Sequence, residues 1–497
     1  MTITKKAHSE GTSIVVERNF IRATRDTGYK NTAAALAELI DNALQAGANK
    51  IQLFALETTV EGDRQVTLAV LDNGAGMDQA SLRRAVQFGG SSRFDDRSGL
   101  GRYGMGLPNS SLSQARRLEV LSWMGDRTPY KCSLDVDEVL SGARRGISVA
   151  TLAQLPKWAE TFAEDHGTLV IWSHCDRLLN RKAITLVEKL KPALGRIYRR
   201  MMWAGVDISI NGQPVVPVDP LFAHPGTGAG GGVPYGPPLR YRIKLPDRSE
   251  ETIVEVRFVE LPVAEWQSAS TLKKRQMGIV GGAGVSILRA GREIDFGWHL
   301  MGAKRKENYD DWWRCEVSFS PTADELFGVT HSKQGIAPSP ELRAILTPDL
   351  ESVARQLNAR VRASFEASRA HSDGPAARTA SLSDEFLPAI RTSSRVTIRG
   401  NHFHYQILSS PLKTAALFST KRKGPVITVR LNSEHPFVYR LYQTIGSKAD
   451  GRSRMAIETL VLAAARARLS CVKPDEASVV DSFISEWSDV LAAFTAR

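Results

Sequence analysis

Three short segments among the first 110 residues combine side chains and glycines that could act on a phosphate ester. The segment Glu38-Leu-Ile-Asp-Asn42 places a carboxylate and a carboxamide four positions apart, and therefore on one face of a helix. The segment Asp72-Asn-Gly-Ala-Gly-Met77 places an acid directly after an apolar run and follows it with two glycines. The segment Gly99-Leu-Gly-Arg-Tyr-Gly-Met-Gly106 is a glycine-rich loop before a predicted helix, where backbone amides can hold phosphates.

The helical pair could supply the groups that transfer of a phosphoryl group to water needs. Glu38 can act as a general base, since hydrolysis requires a carboxylate one hydrogen bond from the attacking water. Asn42 offers a neutral oxygen to Mg²⁺, which prefers hard oxygen ligands and keeps several waters and phosphate oxygens. Taken alone, this spacing is more typical of a solvated helix face. The other two segments favour the catalytic interpretation.

The acid of the second segment lies where a strand is predicted to end. A carboxylate at Asp72 can accept a hydrogen bond from the amino group of adenine, whereas the keto oxygen of guanine cannot donate one. Gly74 and Gly76 let the backbone pass close to the base and the ribose. An Asp-Asn-Gly turn between two strands is the commoner meaning of this triplet, but Met77 and the neighbouring motifs favour a nucleotide.

The glycines of the third segment precede a predicted helix that has Pro108 near its first turn, a favourable place for proline. The backbone amides at Gly101, Gly104 and Gly106 are therefore expected to face the phosphates. Residues 88–103 are predicted to form a lid over the nucleotide.

In this order and spacing, the three segments resemble the GHKL ATPases, the superfamily of gyrase B, the large ATP-dependent heat-shock chaperones, MutL and the MORC proteins. The resemblance implies ATP and Mg²⁺ as ligands, a Bergerat-type α/β sandwich, and nucleotide contacts from Arg102, Tyr103 and Met105 in the glycine-rich loop. Thr168 matches the family's threonine beside the adenine. The run 99–107 looks most like the MORC proteins and next most like MutL, although Gln45 stands where many relatives carry an aspartate.

Two later segments look like the S5-like transducer domain that follows GHKL domains. Residues 285–294 look like its strand-turn-strand, and residues 315–335 look like the segment that carries a lysine to the γ-phosphate. The resemblance makes Lys333 that lysine, where a cation would neutralise charge on the transferred phosphate; the alternative is a surface loop lysine. Arg289 and Arg292 are interpreted as lining the outer face of a strand.

The order of the predicted elements divides the chain into four parts. Residues 1–178 are expected to form a mixed α/β sandwich, the ATPase domain, because its strands cluster after its helices. An S5-like α/β transducer domain is expected over 179–368. Residues 369–384 are mainly small or polar and predict a linker. A C-terminal α/β domain is expected over 385–497, with helices at 455–469 and 478–494; the sequence assigns it no function.

Composition limits the class of protein and suggests a partner. The 497 residues are 42% hydrophobic and carry a net charge of +12, an excess that favours a polyanion such as DNA over simple solubility. No stretch approaches the ~20 apolar residues of a membrane span, so no membrane is expected. Four separated cysteines predict reduced thiols and a cytoplasmic protein. The basic cluster 421–423 is equally compatible with nucleic acid and with plain solvation.

The resemblance implies a switch that dimerises through its ATPase domains when ATP binds, with residues 1–30 crossing to the partner, and that then acts on DNA. A restriction or anti-phage defence role, with a nuclease or helicase as effector, is the leading expectation. A heat-shock-type chaperone is the first alternative, disfavoured by the positive charge. A MutL-like DNA-repair ATPase is the second, although no strand-cleaving tyrosine motif or nuclease metal cluster is evident. Glu38 argues against a module that binds ATP without hydrolysing it.

Overall fold

The computed structural model describes most of the chain: residues 15–26, 28–60, 63–90, 104–125, 128–144, 146–225, 231–245, 250–267, 269–330, 333–372, 374–388, 403–442, 445, 451–471 and 473–495. It divides into two compact units, Met1–Ala359 and Arg360–Arg497. The fold is mixed α/β, as predicted.

The described α-helices are α1 (Glu17–Asp26), α2 (Thr32–Gln45), α3 (Gln79–Val86), α4 (Gly106–Gln114), α5 (Val136–Ser141), α6 (Lys157–Glu160), α7 (Ala183–Ile197), α8 (Arg199–Trp203), α9 (Val263–Trp266), α10 (Thr271–Gln276), α11 (Asp324–Phe327), α12 (Pro340–Ser372), α13 (Pro375–Ser383), α14 (Gly451–Ser470) and α15 (Pro474–Phe494). In this part of the chain, no helix is both long enough and apolar enough to cross a bilayer.

The strands of the first unit are β1 (Lys50–Val60), β2 (Asp63–Asp72), β3 (Arg117–Met124), β4 (Tyr130–Asp135), β5 (Thr151–Leu152), β6 (His166–Ser173), β7 (Asp207–Ile210), β8 (Gln213–Pro214), β9 (Val233–Pro234), β10 (Leu239–Lys244), β11 (Glu251–Glu260), β12 (Val285–Arg289), β13 (Arg292–Gly297) and β14 (Trp313–Phe319). Those of the second unit are β15 (His404–Ser410), β16 (Phe418–Lys423) and β17 (Val426–Asn432).

The first sheet has the order β5-β4-β3-β6-β2-β1-β7-β8 and is largely antiparallel. One face packs against helices that include α2, α4 and α7, and the other face packs against the segment that contains α6. Helix α2 begins where the Asn31 side chain accepts a hydrogen bond from the Ala34 amide at 2.9 Å, an N-cap. Its apolar face, Leu36, Leu39 and Ile40, is buried against the sheet.

The second sheet has the order β10-β11-β14-β12-β13, with β9 beside β11. Helix α12 covers it with leucines that recur every four residues, at Leu342, Leu346 and Leu350, all fully buried. The turn predicted at Ala290-Gly291 joins β12 to β13, and both residues have positive φ, 49° and 84°. This packing presents the edge of the sheet near β13 to α7 and α8 of the same unit.

Several predicted elements differ from the observed ones. The pattern of apolar residues predicts one helix over 182–202 and a strand over 147–152. The structure has two helices, α7 and α8, in the first segment and the short strand β5 in the second. The predicted linker, 369–384, is helical where it is described, because α12 extends to Ser372 and α13 follows. Ala376 and Ala377 of α13 are fully buried in the core of the second unit, so small residues that read as flexible are packing residues.

The second unit is built around the sheet order β15-β17-β16, with β15 parallel to β17 and β16 antiparallel to it. Its core joins the inner face of this sheet to α13, α14 and α15. The two predicted C-terminal helices are confirmed as α14 and α15, each a few residues longer than predicted. The four cysteines are free thiols, as predicted.

Candidate functional site

A cavity of about 400 Å³ in the first unit gathers residues from both of its sheets. Most of the residues singled out from the sequence line it: Glu38, Asn42, Asp72, Gly76, Met77, Gly104, Met105, Gly106, Thr168 and Lys333. Gly74 lies beside the cavity and bonds to Asp72. Gly101, Arg102 and Tyr103, with lid residues 91–103, lie outside the described residues.

Helix α2 forms one wall of this cavity and contributes two acids. Glu38 is 3% exposed and Asp41 is 1% exposed, whereas Asn42 is exposed towards the cavity. Among the described residues, the Glu38 Oε1 atom is buried without a hydrogen-bond partner. A buried polar atom without a partner is costly unless a ligand or water satisfies it. The predicted pair therefore lies at the cavity as the helical spacing required.

Asp72 ends β2, next to Thr168 of β6 in the sheet register. Its Oδ1 accepts a hydrogen bond from the Gly74 amide at 2.8 Å, and the Thr168 backbone amide also bonds to the carboxylate. The Thr168 hydroxyl lies 2.9 Å from the Ser122 hydroxyl, which in turn accepts a hydrogen bond from the Met77 amide. Burial raises the pKa of Asp72 to about 6, against the opposing effect of the two amides.

Two glycines at the site allow close approaches. Gly76 has a φ of +72°, and a Cβ atom there would lie 2.0 Å from the carbonyl oxygen of Trp123, so this position requires glycine. A Cβ atom at Gly106 would lie 2.8 Å from Glu38 Oε2, so a side chain there would displace the carboxylate. At the preceding residue, Met105, no side chain caps α4. Amides at such a helix start are suited to an anion.

Lys333 reaches the same wall from the loop between α11 and α12. It has a φ of +48° and is 8% exposed. Its Nζ donates to Glu38 Oε2 at 3.1 Å and to Asp41 Oδ2 at 2.8 Å. Charge-assisted hydrogen bonds thus join Lys333 to two acids that lie 295 and 292 positions earlier in the sequence. The structure brings Lys333 to the cavity.

Asp41, Arg292 and Tyr198 form a buried cluster that the sequence reasoning did not connect. Arg292 Nε lies 3.1 Å from Asp41 Oδ1, and the Tyr198 hydroxyl donates to the same Oδ1 at 2.8 Å. Burial opposes ionisation of Asp41, but Arg292 and Lys333 outweigh it and hold its pKa below the ordinary value. The sequence signal that could have suggested a role for Asp41 is its position between Glu38 and Asn42 on the same helix.

The interpretation of Arg289 and Arg292 as outer-face residues is wrong. Their side chains are both 4% exposed. Arg289 forms a two-pronged ion pair with Asp324, at 2.6 and 2.7 Å, and both residues line the cavity. Helices α7 and α8 cover the β12–β13 hairpin on this side. The two arginines, which lie opposite each other across the hairpin, therefore point into the protein.

The raised pKa of Asp72 predicts a pH-dependent cost to stability. The folded chain binds this proton more tightly than the unfolded chain, so stability falls as the pH rises from the ordinary pKa of 3.8 to about 6. We expect Asp72→Asn to gain up to about 3 kcal/mol relative to the wild type between pH 4 and pH 8. Urea unfolding of both proteins at the two pH values measures this gain. A stability difference that is the same at both would contradict it.

Comparison with known proteins finds a family match for the segment that contains α2 and β2. Residues 29–168 match the family model described as histidine kinase-, DNA gyrase B-, and HSP90-like ATPase. The chain is 40% identical over 90 residues to the mouse protein ATPase MORC2B, which is 18% of this chain and 9% of that protein. It is 35% identical over 89 residues to Protein MICRORCHIDIA 7 of Arabidopsis thaliana, 17% of this chain and 12% of that protein.

A second kind of relative is bacterial. The DNA mismatch repair protein MutL of Afipia carboxidovorans is 31% identical over 125 residues, 24% of this chain and 19% of that protein. The matched segments therefore span less than a fifth of each of these relatives.

Proposed function

We propose that this chain is an ATP-hydrolysing switch that acts on DNA. Its residues 29–168 match the model of the GHKL ATPase superfamily, and part of the chain is similar to MORC and MutL proteins. The observation that carries the proposal is that four features line one cavity: a carboxylate from α2, a buried acid at the end of β2, the uncapped start of α4, and the Lys333 amine from the loop before α12. The family model matches residues 29–168 alone, so the position of Lys333 at this cavity is an observation beyond that match.

Adenine is assigned to the Asp72 end of the cavity. One oxygen of that carboxylate is held by the Gly74 amide, which fixes its orientation for the amino group of the base. Met77 and Thr168, which share the Ser122 hydroxyl, are assigned to the rim around the base. The phosphates are assigned to the start of α4 at Gly106, where backbone amides and the helix dipole favour negative charge.

The donor set also fits a magnesium ion. Asn42 offers an uncharged oxygen at the cavity surface, and the unpartnered Oε1 of Glu38 lies one helical turn away on the same wall. A single protein ligand suffices for Mg²⁺, which takes its other oxygens from phosphates and water. When bound, the ion supplies charge neutralisation on the phosphate oxygens. Asn42 is the residue assigned to hold it.

The hydrolytic step is assigned to Glu38. Its carboxylate takes a proton from the attacking water, which then bonds to the γ-phosphorus as the bond to the β-phosphate oxygen breaks. The salt bridge from Lys333 is assigned to open first, because a paired ammonium lowers the basicity of the carboxylate that must accept the proton. Transfer of this amine from the α2 acids to the phosphate would couple nucleotide state to the second sheet.

Dimerisation and action on DNA are the further parts of the proposal. We infer that ATP binding associates two copies through their ATPase domains. Of the segment 1–30 that is expected to cross to the partner, residues 1–14 lie outside the described residues, and α1 packs against α4 of its own chain. The net charge of +12 favours a polyanion, and the MutL relatives are named as DNA mismatch repair proteins. A restriction or anti-phage role, with a nuclease or helicase effector, is the biological context that we propose. The positive charge weighs against a chaperone.

Nucleotide binding tests the assignment of the cavity. We expect the wild type to bind ATP with Mg²⁺ and to bind GTP far more weakly. Asp72→Asn should lose at least a hundredfold in ATP affinity, because the negative charge is lost and a donor NH₂ replaces one of the two acceptor oxygens. Isothermal titration calorimetry measures all three values. Asp207→Asn, an exposed aspartate of β7 in the same sheet, is the matched control and should bind ATP normally. Unchanged affinity of Asp72→Asn would remove the adenine assignment.

A further inference from the structure

The positive charge of this chain is concentrated in one stretch of the second unit. Between Phe386 and Ser433 there are eight lysines and arginines and not one aspartate or glutamate. This stretch, under a tenth of the chain, therefore holds a charge of +8 out of a total of +12. The strands β15, β16 and β17 all lie within it.

The three-stranded sheet sorts its residues cleanly between its two faces. Tyr405, Ile427 and Val429 point into the core of the unit and are buried. The alternate positions form the outer face of the sheet, which we define as His404, Gln406 and Leu408 of β15, Ser419, Lys421 and Lys423 of β16, and Val426, Thr428 and Arg430 of β17. None of these nine residues is buried.

The alternation of side chains along β16 divides the basic cluster at 421–423 between the two faces of the sheet. Lys421 and Lys423 lie on the outer face, about 7 Å apart along β16. Arg422 points the other way, with its guanidinium 5.7 Å from the ring centroid of Phe403. Arg430 joins the two lysines from the central strand, opposite Ser419. The outer face thus carries three exposed cations with His404 at its margin.

These three cations have no acidic neighbour to neutralise them. Across the described residues, Lys421, Lys423 and Arg430 form no ion pair, and the strands themselves contain no acid. An exposed strand of the first unit gives the contrast. Arg240, Arg242 and Lys244 alternate on β10 in the same way, but Glu255 lies opposite the first and Glu251 opposite the last. Of these two groups of cations, the one on the outer face in the second unit has no acid opposite it.

We propose that the outer face of the β15–β17–β16 sheet binds the phosphate backbone of double-stranded DNA. This inference rests on the proposed action on DNA and assigns that action a surface. Lysine and arginine neutralise phosphates, and Ser419, Gln406 and Thr428 supply the hydroxyl and amide donors that commonly accompany them. The described outer face carries no phenylalanine, tyrosine or tryptophan on which unpaired bases could stack, which favours a duplex over a single strand.

The salt dependence of DNA binding tests the surface. The triple variant Lys421→Gln, Lys423→Gln, Arg430→Gln should bind a short random-sequence duplex about a hundredfold more weakly than the full-length wild type near 0.15 M salt. The slope of log affinity against log salt should become shallower by about three, close to one per cation removed. Fluorescence anisotropy at several salt concentrations gives both values. All three side chains are exposed, so the variant is expected to keep the wild-type melting temperature and basal ATPase rate.

A control of identical charge change separates a surface from a general charge effect. The variant Arg240→Gln, Arg242→Gln, Lys244→Gln should keep the wild-type salt slope, because glutamates lie opposite two of its three cations. Equal losses in the two variants, or no loss in the first while the wild type binds DNA, would overturn the outer-face proposal and leave the DNA-acting switch standing. A wild type that binds no duplex would overturn both. Stronger binding of the outer face to anionic phosphatidylserine vesicles than to the duplex would replace DNA by a membrane and refute the inference.

Discussion

Replacement of Glu38 by glutamine is expected to lower the rate of ATP hydrolysis by about 10²–10⁴-fold, the range attributed to a general base. Glutamine keeps the shape of the side chain beside Gly106, where a larger group would clash, but it cannot take a proton from water. ATP and Mg²⁺ should still bind, because Asp72, Asn42 and the start of α4 are untouched. Phosphate release measured under saturating ATP gives the rate, and calorimetry gives the affinity.

The same variant should accumulate in the ATP-bound dimer. In the structure, Lys333 donates to Glu38 Oε2, and loss of that negative charge weakens the hold of α2 on the amine. The amine is then freer to meet the γ-phosphate, while the reset by hydrolysis is blocked. Glu160→Gln, an exposed glutamate on α6 in the same domain, is the matched control and should hydrolyse ATP at the wild-type rate. Wild-type hydrolysis by Glu38→Gln would mean that another group activates the water.

The residues at the cavity differ in how far the sequence could predict them. Glu38 and Asn42 follow from helical spacing, and Asp72 follows from its place at the end of an apolar run; both signals are local, within one element. The elements formed where they were predicted because α2 has a side-chain N-cap and an apolar face that the sheet buries. Local pattern and tertiary packing agree here, so the cavity residues on α2 and at the end of β2 could be predicted from the sequence.

The cluster of Asp41, Tyr198, Arg292 and Lys333 was harder to predict, because it depends on contacts between residues that are distant in the sequence. Tyr198 reaches Asp41 across 157 positions, and Lys333 reaches it across 292. The spacing of apolar and polar residues does not predict such a contact, and Lys333 was predicted only from the family resemblance. Arg292 was misjudged since an arginine beside a hairpin turn is usually solvated; here helix packing on β13 encloses it and Asp41 compensates its charge.

The predicted linker shows the limit of composition as a signal. Residues 369–384 are rich in alanine and serine, which suits a flexible connection. Alanine is also the best helix former and leaves little bulk between packed elements. In α13 the second property prevails, because Ala376 and Ala377 let the helix lie against the core of the second unit. The outcome is set by a tertiary partner that lies more than twenty residues further along the chain.

Lys333→Ala is expected to abolish most ATP hydrolysis while leaving ADP affinity unchanged. A triphosphate offers the amine a partner and a diphosphate does not, and a contact made in one state alone shifts a conformational equilibrium. A charge-assisted hydrogen bond contributes about 1.5–3 kcal/mol, which corresponds to roughly one to two powers of ten in the ratio of closed to open forms. The variant should therefore remain monomeric with a non-hydrolysable ATP analogue that dimerises the wild type, as measured by sedimentation velocity.

Stability alone would not explain such a loss, and a second lysine of the same unit shows why. In Lys333→Ala, Asp41 keeps Arg292 as a cation at 3.1 Å, but Glu38 loses its ion pair. Lys304→Ala likewise removes the cation of a buried acid, Asp310, from a pair at 2.6 Å outside the cavity. It should lower the melting temperature at least as much as Lys333→Ala does, yet keep analogue-induced dimerisation. Full dimerisation of Lys333→Ala would make Lys333 a structural partner of α2 and would leave the switch without its link to the second sheet.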